Sequence, residues 1–254
     1  MENTAVPYMA SDLSVDTADK GRLENLKKQS YDWIRDTAGF KYSYHFSWLG
    51  RPIIQYPQDI VAVQELVFSV QPDLIIETGI AHGGSLILYA SLLELNALCG
   101  GPQNAHVLGI DIDIRAHNRA AIEAHPLFQR GRISMLQGSS IESSMVDRVH
   151  SIASGYSRVM VMLDSNHTHE HVLAELEAYA RLVNVGSYCV VFDTIVEYMP
   201  KSIHSNRPWG PGNNPMTAVE HYLQSHPEFK SDTSIDDKLL ITVAPKGFLK
   251  RVAP

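Results

Sequence analysis

The stretch Leu74-Ile75-Ile76-Glu77-Thr78-Gly79-Ile80-Ala81-His82-Gly83-Gly84-Ser85 decides the fold. An aliphatic run enters an acid, then a glycine-rich turn, then an apolar-periodic segment from Leu86 to Leu98. A parallel strand buried on both faces reads as such an unbroken run. Glycines let the backbone turn sharply and approach a ligand closely. The segment is a strand, a tight turn and a helix.

Further downstream the same alternation repeats. Val107–Asp111, Ile133–Gly138, Arg158–Asp164 and Tyr188–Asp193 read as strands. Ser85–Leu98, Asn118–Ala124, Glu142–Ala153 and His169–Val183 read as the helices between them. Alternating strands and helices with short connections predict an α/β, Rossmann-like domain. Its sheet is mostly parallel, its crossovers are right-handed, and helices cover both faces. Leu239–Val243 and Gly247–Arg251 predict a closing antiparallel hairpin. Upstream, Gly21–Gly39 is an amphipathic helix, Tyr42–Ile54 is an aromatic stretch, and Pro57–Val70 is a helix begun by proline. We divide the chain into residues 1–56, an arm, helix and aromatic segment that caps the site or contacts another copy, and residues 57–254, the main domain. Within the latter, residues 198–215 break the periodicity with Arg207, Trp209 and Asn213; a loop of this length in a compact domain suits a lid.

The composition excludes several partners. The 254 residues carry a formal charge of −7 with no basic block, which argues against nucleic acid. No apolar run is long enough to span a membrane, and the first residues show no apolar signal region. Cys99 and Cys189 are far apart in apolar contexts, which favours free thiols in a reducing cytoplasm.

In open α/β sheets ligands bind beyond the carboxyl ends of the strands. Those ends hold Glu77, Asp111, Asp164 and Asp193, with Gly138-Ser139-Ser140 ending the third strand. Chance helix caps would account for one or two of these acids, but four together point to a ligand crevice. The turn lacks the second glycine that admits a pyrophosphate. It suits S-adenosylmethionine instead: Glu77, Thr78, Gly79, Gly83 and Ser85 around the methionine and ribose, Asp111 on the ribose hydroxyls, Gly138 and Ser139 beside the adenine. Asp164 and Asp193 end adjacent strands and would repel each other without a cation. Mg²⁺ takes one or two carboxylates plus water and substrate oxygens, and Thr194 supplies a further oxygen. His167, three residues past Asp164, is placed as a general base for a hydroxyl, since histidine titrates near working pH. His167 and His171 also stand four apart, a spacing open to zinc or iron; His169 and His171 otherwise read as surface residues.

Taken together, Trp48-Leu49-Gly50, Pro57-x-Asp59, Pro72–Gly79 with Gly83-Gly84-Ser85, Gly109–Asp113, Leu163–His167, Asp193-Thr194, Pro208–Gly210 with Gly212–Pro215, and Gly247–Leu249 resemble the cephalosporin hydroxylase family. The resemblance spans about residues 40–250. It implies the class I S-adenosylmethionine-dependent methyltransferase fold and a Mg²⁺-assisted O-methyl transfer to a small-molecule acceptor: a sugar, nucleotide-sugar or glycosylated natural product such as an antibiotic. It also implies a homo-oligomer. Similar catechol-type enzymes place a lysine where His167 stands and an asparagine where Thr194 stands. Two rivals remain: an iron-dependent hydroxylase built on the histidines, and a non-catalytic ligand-binding subunit.

Overall fold

The computed structural model describes residues 17–254; the part of the expected polar arm before residue 17 lies outside them. Helix α1 (Thr17–Ala38) leads to a small antiparallel hairpin, β1 (Phe46–Trp48) and β2 (Arg51–Ile53), and then to α2 (Pro57–Val70). The repeating units follow: β3 (Leu74–Thr78), α3 (Gly84–Leu98), β4 (His106–Asp111), α4 (Ala116–Glu123), α5 (Pro126–Gln129), β5 (Ile133–Gln137), α6 (Ser143–Ala153), β6 (Val159–Leu163), α7 (His169–Tyr179) and β7 (Tyr188–Val191). The chain closes with α8 (Pro215–Ser225), β8 (Phe229–Ser231), α9 (Thr233–Leu239) and β9 (Phe248–Arg251).

Seven strands form one sheet in the order β5-β4-β3-β6-β7-β9-β8. The first five positions are parallel, and β9 runs antiparallel to both β7 and β8. Successive side chains of a strand point to opposite faces, so β3 feeds two cores. Ile75 packs with Leu86, Met160, Val190 and Phe248 on one face. Leu74 and Ile76 pack with Val161, Leu176, Tyr179 and Val219 on the other. Each such aliphatic side chain, fully buried, contributes about 1.5–3 kcal/mol. A helix apolar all round must be enclosed, and in α3 the five residues Leu86 to Ala90 are buried. The β1–β2 hairpin and α2 supply its cover; a Cβ on Gly84 would lie 2.2 Å from the Pro52 carbonyl oxygen. That contact brings residues 46–56 down onto the mouth of the turn.

The hairpin expected from Leu239–Val243 and Gly247–Arg251 is only half present. The partner of β9 is β8, on the far side of α9. Residues 240–243 form no strand, because their polar groups are used elsewhere: Thr242 Oγ1 and the Val243 N–H donate to the buried carboxylate of Asp59 at the start of α2. The lid segment 198–215 is also more ordered than a plain loop. It holds a 3₁₀ turn at Lys201–His204 and a bridge between Gly210 and Asn213. Among the described residues, no helix is long and apolar enough to cross a membrane.

Candidate functional site

The glycine turn is clamped from all sides. Asp111 Oδ2 accepts from the N–H groups of Ile80 (2.8 Å) and Ala81 (3.2 Å), while its Oδ1 accepts from the Asp113 N–H (2.9 Å). Asn118 Nδ2 donates to the Ala81 carbonyl at 2.9 Å, and Arg51 Nε to the His82 carbonyl at 3.0 Å. These bonds hold Ala81 at φ +45°, a left-handed conformation that a residue with a Cβ rarely adopts. Gly79 is forced by packing: at φ +92° its Cβ would lie 2.0 Å from the Asp164 carbonyl oxygen. The turn and the end of β6 therefore touch backbone to backbone. Gly83, at φ +82°, lets α3 begin against Ile122.

Glu77 and Thr78 are fully buried beneath the turn rather than on the cavity wall. Both Glu77 oxygens, Thr78 Oγ1, Tyr89 Oη and both amide atoms of Gln55 are buried without a hydrogen-bond partner. Burial pushes the Glu77 carboxyl up to about 8, although the nearby Ser85 and Tyr89 hydroxyls favour its ionised form. Unpaired buried polar atoms are costly and call for an explanation. A polar, cationic ligand end seated against Gln55 and Ser85, which line the cavity directly above, fits them.

That cavity encloses about 420 Å³. Gly79–His82, Ser85 and Asp111 form one end; Asp164, His167 and Asp193 form the other. Tyr42, Tyr44, Ile203, His204, Arg207 and Trp209 close over it. Arg207 stacks over the Trp209 ring at 5.2 Å, and that ring meets His167 edge-on at 4.8 Å. Thus α1, the aromatic stretch and the lid segment all roof the same space.

At the reacting end, one donor atom each from Asp164, His167 and Asp193 lies within 4.8 Å of the other two. His167 Nε2 is 3.3 Å from Asp193 Oδ2. The Asp164 carboxyl is held well above the usual carboxylate range, first by burial and then by the negative charges of Asp193, Glu77, Glu175 and Asp59. A divalent cation held between these carboxylates would relieve that repulsion. Two carboxylates with room for water and substrate oxygens fit Mg²⁺; the imidazole nitrogen also suits Mn²⁺, Fe²⁺ or Zn²⁺.

Several expected site residues do other work. Thr194 is buried and its Oγ1 donates to the Pro245 carbonyl at 2.7 Å, which occupies its hydroxyl proton. Asn213 staples the loop, accepting from the His169 N–H (2.9 Å) and donating to the Pro208 carbonyl (3.0 Å); it does not line the cavity. Gly138 and Ser139 also stand outside the cavity lining; Gly138 follows β5 with φ +151°, where a Cβ would lie 2.7 Å from Met145 Cε. His171 is part-buried, with its side chain 20% exposed, and joins a network around the buried Glu175; His169 Nδ1 lies 2.8 Å from Thr217 Oγ1. Arg51, Gln55, Asn118, His204 and Glu175 belong to the site or its frame and carry no obvious motif. Glu175 alone left a signal: His171, Glu175 and Tyr179 recur at intervals of four, one face of a helix.

Residues 40–252 match the family model described as Rhamnosyl O-methyltransferase/CmcI. Among curated relatives, a rhamnosyl O-methyltransferase of Mycobacterium tuberculosis is 31% identical over 196 residues, 76% of this chain and 73% of the relative. Another, from Mycobacterium leprae, is 27% identical over 81% of this chain and 82% of its own length. A solved CmcI structure described as Mg-SAM superposes with a TM-score of 0.57 at 19% identity, over 83% of this chain and 78% of its own; that likeness is one of fold. With the family match spanning most of its length, the chain belongs to the Rhamnosyl O-methyltransferase/CmcI family.

Proposed function

We propose that this protein transfers the methyl group of S-adenosylmethionine to a hydroxyl of a glycosylated small molecule, with Mg²⁺ at the reacting end. The observation that carries this reading is one cavity with two chemically distinct ends. The clamped turn, Ser85 and Asp111 stand at one, and Asp164, His167 and Asp193 at the other. The methyl donor lies along the turn, with its ammonium toward the orphaned Gln55, Glu77 and Tyr89 groups. Asp111 keeps lone-pair capacity for ribose hydroxyls beyond the backbone bonds it accepts. Mg²⁺ bound there would lower the pKa of an acceptor hydroxyl and orient it. Asp164 and Asp193 would hold it, and His167 would accept the hydroxyl proton. Trp209 and Arg207 cover the acceptor and exclude water, while positioning the hydroxyl in line supplies on the order of 7–11 kcal/mol at best. The mycobacterial relatives make a rhamnosyl hydroxyl the first acceptor to try. Cys99 is exposed and Cys189 is buried in β7, both unpaired, which supports a reducing compartment.

The test is turnover of methyl-labelled S-adenosylmethionine with a panel of rhamnosides and other glycosides, with Mg²⁺ and after chelation. Label in the glycoside, lost on chelation and restored by Mg²⁺, is expected. Calorimetry that detects no S-adenosylhomocysteine binding would sink the reading; undiminished turnover after chelation would remove the metal from it.

A further inference from the structure

Glu175 is a fully buried acid that the proposed reaction does not use. It lies on α7 and accepts through one oxygen, Oε1, from Ser140 Oγ at 2.5 Å and Ser165 Oγ at 2.7 Å. His171 Nε2 is 3.3 Å from that same oxygen and 3.2 Å from each serine hydroxyl. Both serine protons are committed to the carboxylate, so the serine oxygens accept from His171, and Nε2 carries the proton. The acid and both hydroxyls meet the same imidazole nitrogen, so this is no nucleophilic relay: such a relay puts acid and hydroxyl on opposite nitrogens. One turn further on, Tyr179 Oη donates to the Ser140 carbonyl.

The two serines belong to different loops. Ser140 ends the Gly138–Ser140 segment after β5, and Ser165 follows Asp164 after β6 and lines the cavity. Strands β4 and β3 stand between β5 and β6 in the sheet, so no ladder joins these two loops; three strand spacings separate their strands by roughly 14 Å. Glu175 closes that gap. A buried carboxylate is costly unless hydrogen-bonded, so it resists any movement of either loop that would strip a hydroxyl from it.

On the methyl-transfer reading, we infer that Glu175, with His171 and Tyr179 on the same face of α7, is a positioning residue. It locks the Gly138–Ser140 loop, whose Gly138 N–H donates to the carbonyl of the cavity residue Asp111 at 2.8 Å, to the Asp164–Ser165 loop, so that methyl donor and metal bind as linked events. Groups that orient metal ligands typically matter on the order of 10–100-fold in metal affinity.

The test uses the full chain, Mn²⁺ as a paramagnetic probe, and S-adenosylhomocysteine. Mn²⁺ affinity is read by electron paramagnetic resonance and S-adenosylhomocysteine affinity by calorimetry, with and without Mn²⁺. In the unaltered protein each should tighten the other. Glu175→Gln should weaken Mn²⁺ on the order of 10–100-fold and abolish the mutual tightening. Should Glu175→Gln fail to fold, Ser140→Ala and Ser165→Ala carry the test: each should weaken the linkage while circular dichroism shows the fold retained. Folded variants with unchanged Mn²⁺ affinity and intact linkage overturn the inference alone. If the unaltered protein binds neither ligand, the methyl-transfer reading falls and this inference falls with it.

Discussion

Replacing Gly79 by alanine tests the contact on which the site is built. The backbone there stands at φ +92°, and a Cβ would lie 2.0 Å from the Asp164 oxygen, 2.6 Å from its carbonyl carbon and 2.9 Å from Ser165 Cα. These are backbone atoms, and the Asp164 N–H is itself bonded to the Thr78 carbonyl at 3.0 Å, so they cannot swing aside. A left-handed backbone costs an L-residue about 1–2 kcal/mol. Overpacking adds about 1–3 kcal/mol. Together the substitution should cost about 2–5 kcal/mol of unfolding free energy. Gly100 is the matched control, since its φ is +90° and a Cβ there meets nothing within 4 Å. Chemical denaturation of both variants isolates the contact: Gly79→Ala should lose about 1–3 kcal/mol more than Gly100→Ala. The displaced Asp164 should also bind Mn²⁺ more weakly in Gly79→Ala and normally in Gly100→Ala. Equal losses in the two variants would refute the argument that the turn and the end of β6 are packed backbone to backbone.

Two further outcomes follow from side chains around the cavity. Burial raises the Asp59 carboxyl from the ordinary 3.8 to about 7. An acid raised on folding contributes stability that is fully present below its unfolded value and is lost as pH rises through its folded one. The stability advantage of the unaltered protein over Asp59→Asn should therefore shrink between pH 3.8 and about 7; denaturation midpoints showing a pH-independent difference would contradict this. Trp209→Ala removes the ring that meets His167 at 4.8 Å and carries Arg207, so it should raise the acceptor's KM while leaving S-adenosylhomocysteine affinity unchanged in calorimetry.

How much was readable beforehand differs sharply between strands and side-chain directions. The β3, β6 and β7 strands were legible because a doubly covered parallel strand reads as a near-continuous apolar run, and Leu74–Ile76 shows this directly. Position at a strand end was legible too, so Asp164 and Asp193 could be paired once β6 and β7 were taken as neighbours. The closing hairpin was misread because Leu239–Val243 carries an apolar run whose polar neighbours have a distant partner. Nothing in residues 239–243 indicates that Thr242 and Val243 bond to Asp59, more than 180 positions away. Thr194 and Asn213 show the same limit in their side chains. Each has the right chemistry at the right place in the chain, and each spends its hydrogen bonds on Pro245 or on His169 and Pro208.

By itself the sequence determined the glycine turn, the order of strands and helices, and the acids at the strand ends. Those depend on local backbone preference and on hydrophobic periodicity, which are properties of neighbouring residues. Tertiary structure alone decided what the turn leans on: Arg51 and Asn118 above it, unpaired Glu77 and Gln55 below, and Asp164 pressed against Gly79. It alone also brought Ser140 and Ser165 to one buried oxygen of Glu175. Hydrogen bonds and close backbone contacts are directional and short-ranged in space, so they leave no period in the chain from which they could be read.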